Sequence, residues 1–469
     1  MSPSLAAWCA FRLCRYLTGN WWASLAGGYV FGFSSYEIAQ LSGHVNLVVI
    51  FAVPLAIHLV LLRVDARISR RRFVVGLTVV FLFLLGTSTE ILLTLLMFGA
   101  LALLLGCVLA PGRWRSAIAA VVPEVLMAGL AAGVVASPFL YYAVKGLGPN
   151  PTANWTEVAN LGSADPLNYV LPTPVTWLGH GLDMSLAAKF NLGNFSESGA
   201  YIGLPAALIV IAFLYSRRRD PLGRVLLGVL VVAVIASLGP HLHVVNPAQP
   251  FAGTFVYRPS IPLPWLPLTH LPAFKQISPV RLSMHVALIS AIVTALWLAT
   301  PGRRPWARWL LGAVVVASLI PNLSEPYWHN RPHIPSFFAA NTYRRYMTPG
   351  ERVLIFPFGF NGNSMLWQAQ THFAFEMTEG YIGIATPPSY YAEPIGRYMQ
   401  YGAKFQLPVS QVGPQLKAFI RQRHVQAIIV DASAPTAWTL LVPITLHLQP
   451  ITTGGVQLYR IPTSWSGRD

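Results

Sequence analysis

Three cations stand where a phosphate could be held. Lys275 and Arg281 come just before an apolar stretch that opens at residue 283, and Arg258 lies farther out in the same Pro-rich segment. Arginine presents a planar fork of donors that suits phosphate, and lysine a compact charge. At the edge of an apolar helix these side chains would meet a lipid-linked phosphate; the alternative is that Arg281 snorkels or caps the helix. A second chemistry needs a carboxylate to take a proton from a hydroxyl. The acids outside the C-terminal third with suitable positions are Glu37, Glu90, Glu157, Asp165, Asp183 and Glu197. Glu37 lies seven residues before His44. Glu90 stands near a helix start, where the macrodipole favours a carboxylate. Asp165 precedes Pro166 and suits a turn.

The histidines offer a third chemistry. His241-Leu242-His243 sets two imidazoles two residues apart, and His44, His180, His270 and His285 fall on or near the same side. Two such ligands on a strand could share a zinc ion, but no cysteine or carboxylate adjoins them. No cofactor is demanded by these residues. A divalent cation (Mg or Mn) bridging a carboxylate and a phosphate stays open. Gly-x-Ser-x-Gly and phosphate-loop patterns are absent, which leaves hydrolase and ATPase readings without an anchor.

The elements that position these groups follow from composition. Of 469 residues, 54% are hydrophobic and 10% charged, with a mean hydropathy of +0.53. A soluble domain carries roughly 25% charged residues, so the whole chain cannot face water. The expected class is a polytopic α-helical membrane protein. Nine apolar stretches suit spans that need about 20 residues: 20–35, 46–62, 73–88, 90–110, 118–143, 199–215, 222–239, 283–300 and 307–323. The third and fourth, separated only by Gly86-Thr87-Ser88-Thr89, form either a tight hairpin or one broken unit. Residues 1–18 read as the tail of a helix.

Sixteen Lys and Arg residues fall in one set of alternate connections and five in the other. The positive-inside rule then puts the N-terminus in the cytoplasm and the long loops outside. This bias also accounts for the net charge of +16, and nucleic acid is excluded as a partner. The three cysteines lie in the apolar first quarter and form no disulfide framework. Domain 1–323 is a transmembrane bundle with long outer loops at 144–198 and 240–282. Residues 324–469 form an extracytoplasmic α/β domain, with strands near 352–357, 427–431 and 455–461 and helices near 363–377 and 414–423.

Three sequence elements then stand in a familiar order. The first is Gly27-Gly28-Tyr29-Val30-Phe31-Gly32-Phe33-Ser34-Ser35-Tyr36 with Gln40 and Gly43-His44. The second is Leu238-Gly239-Pro240 and a Pro-rich loop closing on Pro279-Val280-Arg281-Leu282. The third is the Val353–Pro357 strand with Met365-Leu366-Trp367-Gln368-Ala369 and Glu379-Gly380-Tyr381. Together they resemble bacterial membrane proteins of the GT-C glycosyltransferase superfamily, including its uncharacterised and YfhO-like branches.

That resemblance implies a transferase of the bacterial inner membrane that moves a sugar from a polyprenyl-phosphate donor. The acceptor would be a glycan, lipid or protein on the periplasmic or extracellular face. It also implies a catalytic acid in the first outer loop. Glu37 occupies that loop here, although the Gly27–Tyr36 element lies well inside such proteins. Two or more spans and the usual acid-bearing loop of such proteins have no counterpart in this sequence, which leaves three readings: a truncated chain, a misassigned start, or a non-catalytic member. The alternatives are a non-catalytic lipid- or glycan-binding protein of the same fold and, more remotely, a transporter. The second is disfavoured because the two halves show no internal repeat.

Overall fold

The computed structural model describes the chain outside residues 147–158, 161, 181–194, 243, 245–249, 252–253, 256–260, 272–273, 275–276, 303, 325–331, 380–392, 402–406 and 466–469. The chain divides into two compact units, Met1–Ala248 with Tyr257–Trp328, and Gln249–Val256 with His329–Asp469.

The first unit is helical. Its main helices are α1 (Ser2–Thr18), α2 (Trp21–Gly32), α3 (Ser35–Leu41), α4 (Ala52–Val64), α5 (Arg70–Thr87), α6 (Thr89–Leu109), α7 (Gly112–Val135), α8 (Leu204–Ser216), α9 (Pro221–Ser237), α10 (Ser283–Ala299) and α11 (Pro305–Ser318). Among the described residues, three stretches are long and apolar enough to cross a bilayer: Thr89–Leu109, Gly112–Val135 and Pro279–Ala299. Their surroundings differ. Only 28% and 22% of the first two are buried, against 83% of the third. Leu126, Leu130 and Val134 form an exposed apolar stripe on α7 at four-residue spacing, a face that suits lipid. The Pro279–Ala299 segment is the central post, wrapped by its neighbours.

Several expected spans are shorter than the apolar runs that suggested them. The stretch 46–62 yields only 13 helical residues, Ala52–Val64, because residues 44–51 form turns. Thirteen residues rise about 20 Å, short of the ~30 Å hydrocarbon core. The stretch 20–35 likewise breaks after Gly32, and Ser34 caps a new helix through Glu37 N. The α5–α6 junction is one residue: Ser88, extended at φ −152°, ends one helix and caps the next by accepting from Ile91 N.

Glycines bring α1, α2 and α10 together. A Cβ on Gly27 would lie 2.9 Å from Ala291 O and 3.0 Å from Ala295 Cβ, both on α10. On the opposite flank, Cβ atoms on Gly28 and Gly32 would meet Ala7 O at 2.7 Å and Ala7 N at 2.4 Å, on α1. In lipid, where helix association depends on close packing rather than on water release, such small-residue faces set the approach.

The second unit is α/β. Strands β1 (Glu351–Phe356), β2 (Phe375–Met377), β3 (Ala427–Asp431), β4 (Ile451–Thr453) and β5 (Val456–Arg460) form one sheet in the order β2-β1-β3-β5-β4. The pairs β2–β1 and β1–β3 are parallel; β3–β5 and β5–β4 are antiparallel. Strand β3 is buried along its whole length, as its unbroken apolar run predicts for a strand covered on both faces. Gly454 and Gly455, at φ +55° and +83°, turn the β4–β5 hairpin in the conformation only glycine takes readily. The helix expected over 363–377 stops at Gln370; His372 and Phe373 adopt positive φ, and Phe375–Met377 becomes the edge strand β2. The helix near 414–423 starts earlier, at Val409, and carries Pro414 inside it.

Candidate functional site

The first unit collects charged groups around Arg281. A 3-10 turn, Pro279–Leu282, sets this residue at the head of α10, and Val280 N donates to Gly162 O at 2.7 Å. Ser88 starts α6 and so fixes Glu90 in its first turn. The third member, Glu197, comes from the short 3-10 turn Phe195–Glu197, which is pressed onto α3. Gln40 Nε2 donates to Ser196 O at 2.7 Å. A Cβ on Gly199 would sit 2.7 Å from Tyr36 Cα, so only glycine allows this approach. Asn168, fully buried, accepts from Ala200 N at 3.2 Å and anchors the same segment from the other end.

Arg281 Nη1 donates to Glu90 Oε2 at 2.6 Å. Its Nε donates to Glu197 Oε1 and Oε2 at 3.1 and 3.2 Å, and Nη2 also reaches Glu197 Oε1. All three side chains are largely shielded from solvent. One guanidinium thus serves two carboxylates, leaving a formal charge of −1. Glu90 Oε1 is buried without a well-formed hydrogen bond among the described residues. Tyr36, also buried, feels the charges of Glu90, Glu197 and Arg281; burial, the largest cause, pushes its hydroxyl well above the usual tyrosine range.

His44 lies at the edge of this group. Its Nδ1 is 2.9 Å from Gln40 Oε1 and 3.8 Å from Glu197 Oε1. Because Gln40 Nε2 is committed to Ser196 O, the amide oxygen faces His44, and Nδ1 is the protonated nitrogen. Nε2 then carries the lone pair. Burial lowers the His44 pKa, partly offset by Glu197 and reinforced by Arg281. The ring is therefore neutral at pH 7 and about a quarter exposed. A neutral imidazole with a fixed tautomer, next to carboxylates, is equipped to accept a proton.

The other candidate residues are scattered. Glu37 is wholly buried on α3, and neither of its oxygens has a well-formed hydrogen bond. Burial pushes its carboxyl up to about 8, with the nearby Ser2 hydroxyl offsetting part of the effect. Asp165 caps the turn Pro166–Tyr169 by accepting from Leu167 N at 2.9 Å, the turn role its Pro-preceding position suggests. His180 ends the four-residue helix Trp177–His180 and is exposed. His241 Nδ1 is 3.2 Å from Asn160 Oδ1. Arg258, Lys275, His243, Glu157 and Asp183 lie outside the described residues.

The structure therefore unites Glu90, Arg281 and His44, and adds Glu197, which the sequence offered only as one of six acids, together with Gln40 and Tyr36, which it offered only within the glycine-rich element. The three charged groups of the ion-pair cluster share a signal. Glu90, Glu197 and Arg281 each stand at the opening of an apolar run. Opposite charges at one depth have strong reason to pair. Arg281 takes three of the four carboxylate oxygens, all but Glu90 Oε1. Among the described residues, no three His, Cys, Asp or Glu side chains are grouped to hold a metal ion.

No protein-family model matches the chain, and no curated protein matches it. Its helical membrane fold is similar to that of solved membrane glycosyltransferase structures. Similar solved structures include cryo-electron-microscopy structures of arabinofuranosyltransferase AftD from Mycobacteria. One aligns with a TM-score of 0.50 and 13% identity over 98% of this chain and 33% of that one. A mutant form aligns with a TM-score of 0.51 and 13% identity over 99% and 34%. This chain thus spans about a third of their length, and the likeness is one of fold.

Proposed function

We propose that this protein is a membrane glycosyltransferase of the GT-C type, near the YfhO-like branch, that takes its sugar from a polyprenyl-phosphate donor. The reading places nine spans in a bacterial inner membrane, the N-terminus in the cytoplasm, and both the Arg281 cluster and residues 324–469 on the outer face. The observation that carries it is Arg281 held between Glu90 and Glu197 with neutral His44 at 3.8 Å from Glu197.

The roles follow from charge. An acceptor hydroxyl attacks the anomeric carbon, the bond to the donor phosphate breaks, and polyprenyl phosphate leaves. The hydroxyl proton passes to His44 Nε2. Positive charge develops on the sugar ring in such displacements, and the excess carboxylate charge at Arg281 is placed to stabilise it. In this reading Arg281 orients two acids and is not itself the phosphate ligand. Sequence position alone assigns the leaving phosphate to Lys275 and Arg258. His44 replaces Glu37 as the proton acceptor, because Glu37 has no exposed surface.

The test uses the full chain in lipid nanodiscs with radiolabelled polyprenyl-phosphate sugars. Pentofuranosyl donors come first, since the similar structures are of arabinofuranosyltransferases. Transfer by the wild type that falls about 10²–10⁴-fold in H44A supports the assignment. Undiminished transfer by H44A removes His44 from the mechanism. Donor binding without transfer by the wild type favours the non-catalytic lipid- or glycan-binding reading.

A further inference from the structure

The opposite end of α10 carries a second group of cations with no carboxylate on it. From Arg281 to Thr300 the helix rises about 28 Å, so this end lies one hydrocarbon thickness from the Arg281 cluster. There the C-termini of α8 and α10 and the start of α11 enclose a cavity of about 240 Å³, bordered by Ser216, Arg217, Trp297, Thr300 and Arg308. A smaller adjoining cavity shares Arg217 and Thr300 and reaches Asp220.

The charges here are arranged unlike those at Arg281. Among the described residues neither Arg217 nor Arg308 forms an ion pair. Arg217 lies over the Phe213 ring at 5.7 Å. Arg308 lies over Trp297 at 5.6 Å and donates to the carbonyls of Thr300 and Pro301. The one acid nearby, Asp220, is turned to the head of α9, where it accepts from Gly223 N at 3.2 Å. Two guanidiniums with spare donors therefore face one groove, a donor set that suits a phosphate; the hydroxyls of Ser216 and Thr300 beside them donate to Phe213 O and Leu296 O.

The surroundings indicate a phosphate that belongs to a lipid. Trp306 and Trp309, at the start of α11, are exposed, as aromatic side chains are at a membrane interface. Leu204, Leu208, Ile211 and Tyr215 form an exposed stripe along α8, on the face next to Ala212 and Ser216, which line the groove. An acyl chain lying on that stripe would bring its headgroup to Arg217. Basic pockets between helices on the Lys/Arg-rich side of a membrane protein are the usual seats of anionic headgroups.

We propose that the groove at Arg217 and Arg308 is a binding site for an anionic phospholipid, separate from the Arg281 cluster and independent of any transferase activity. The shared chemistry is a phosphate ester, and the apolar stripe commits it to a lipid.

The experiment is native mass spectrometry of the full chain released from nanodiscs of phosphatidylcholine and phosphatidylglycerol. Wild-type protein is expected to retain phosphatidylglycerol over phosphatidylcholine, with R217Q/R308Q losing that preference by about tenfold or more. R113Q/R115Q, on the same side but away from the groove, should keep it. Equal retention by R217Q/R308Q, or no preference in the wild type, overturns the proposal. So does displacement of the bound lipid by millimolar glycerol phosphate as readily as by phosphatidylglycerol, which would mean a soluble phosphate site. Should the double variant fail to insert, the wild type is tested in rising salt. Screening weakens exposed charge contacts, with a Debye length falling from ~10 Å at 0.1 M to ~3 Å at 1 M. Retention that ignores salt overturns the proposal equally.

Discussion

Arg281 and Glu197, 84 residues apart in sequence, meet fork to fork, with Nε shared between both carboxylate oxygens at 3.1 and 3.2 Å. The second carboxylate, Glu90, takes the remaining face of the same guanidinium. Removing the cation would leave two shielded acids facing one another. R281A is expected to lose roughly 3–5 kcal/mol of stability, the cost of breaking a buried pair by deleting one partner. R281K should fall between, because lysine keeps the charge and loses the fork. Denaturant titration of the detergent-solubilised chain reads this, and a wild-type midpoint for R281A would contradict the charge arrangement.

His44 titrates below the usual histidine range, and Glu197 is the group that opposes the shift. Neutralising that carboxylate in E197Q should therefore lower the His44 pKa further. Ring-labelled protein followed by NMR gives the midpoint without any need for activity. In turnover, the same change would move the acid limb of the rate profile to lower pH, since a base works only when unprotonated. A midpoint that moves upward would show that Glu197 does not act on His44.

Glu379, at the end of β2, is buried and accepts from Ile355 N at 3.0 Å and from the Thr378 hydroxyl at 2.9 Å. Burial, opposed by those hydrogen bonds, pushes its carboxyl up to about 8. An unfolded glutamate titrates near 4.3. Between these values the folded state holds the extra proton, so stability of the second unit falls as pH rises from about 4.5 to 8 and is level above that. E379Q should flatten this slope and raise the unfolding temperature at pH 8 by a few degrees. Its amide would donate to Thr378 Oγ1, whose own proton can go to Val353 O at 3.3 Å. An unchanged slope in thermal unfolding at pH 5 and pH 8 would count against the protonated acid.

Gly32 and Gly129 give a matched comparison. A Cβ on Gly32 would approach Ala7 N to 2.4 Å and Ala7 Cβ to 2.5 Å, whereas one on Gly129 meets nothing within 4 Å. G32A should cost about 1–3 kcal/mol through overpacking. G129A should be neutral or gain up to about 1 kcal/mol from helix propensity. Equal effects in the same denaturant assay would mean that α1 and α2 do not pack through this face.

Much of this architecture is legible in the sequence because its signals are local. The unbroken apolar run Ala427–Val430 announces a strand covered on both faces, and β3 is that strand. The charge-free run after Glu90 announces the long helix α6. Boundaries were harder to read where one residue decides them. Apolar content continues across residues 44–51, yet turns there leave α4 with 13 residues. In the second unit, His372 and Phe373 take left-handed backbone with no glycine to signal it, and a helix gives way to a strand. The site was half legible. Arg281, Glu90 and His44 were singled out at the edges of apolar runs, and the structure brings them together. Glu197 was hidden because its place depends on Gly199 fitting against Tyr36, a contact between segments that no local pattern encodes.

The glycine face of α2 has a consequence beyond packing. Gly27 rests on Ala291 and Ala295, below Arg281 on the same helix, while α3, which follows α2 in the chain, carries the Gln40 that holds the Glu197 segment. The height of Arg281 relative to Glu197 is therefore set by which turn of α10 meets Gly27. A slip of one turn would shift the guanidinium by about 5.4 Å, more than a hydrogen bond can span. The bare Cα of Gly27 thus works as a vernier: it fixes the axial register of two helices, and with it the charge balance at Arg281.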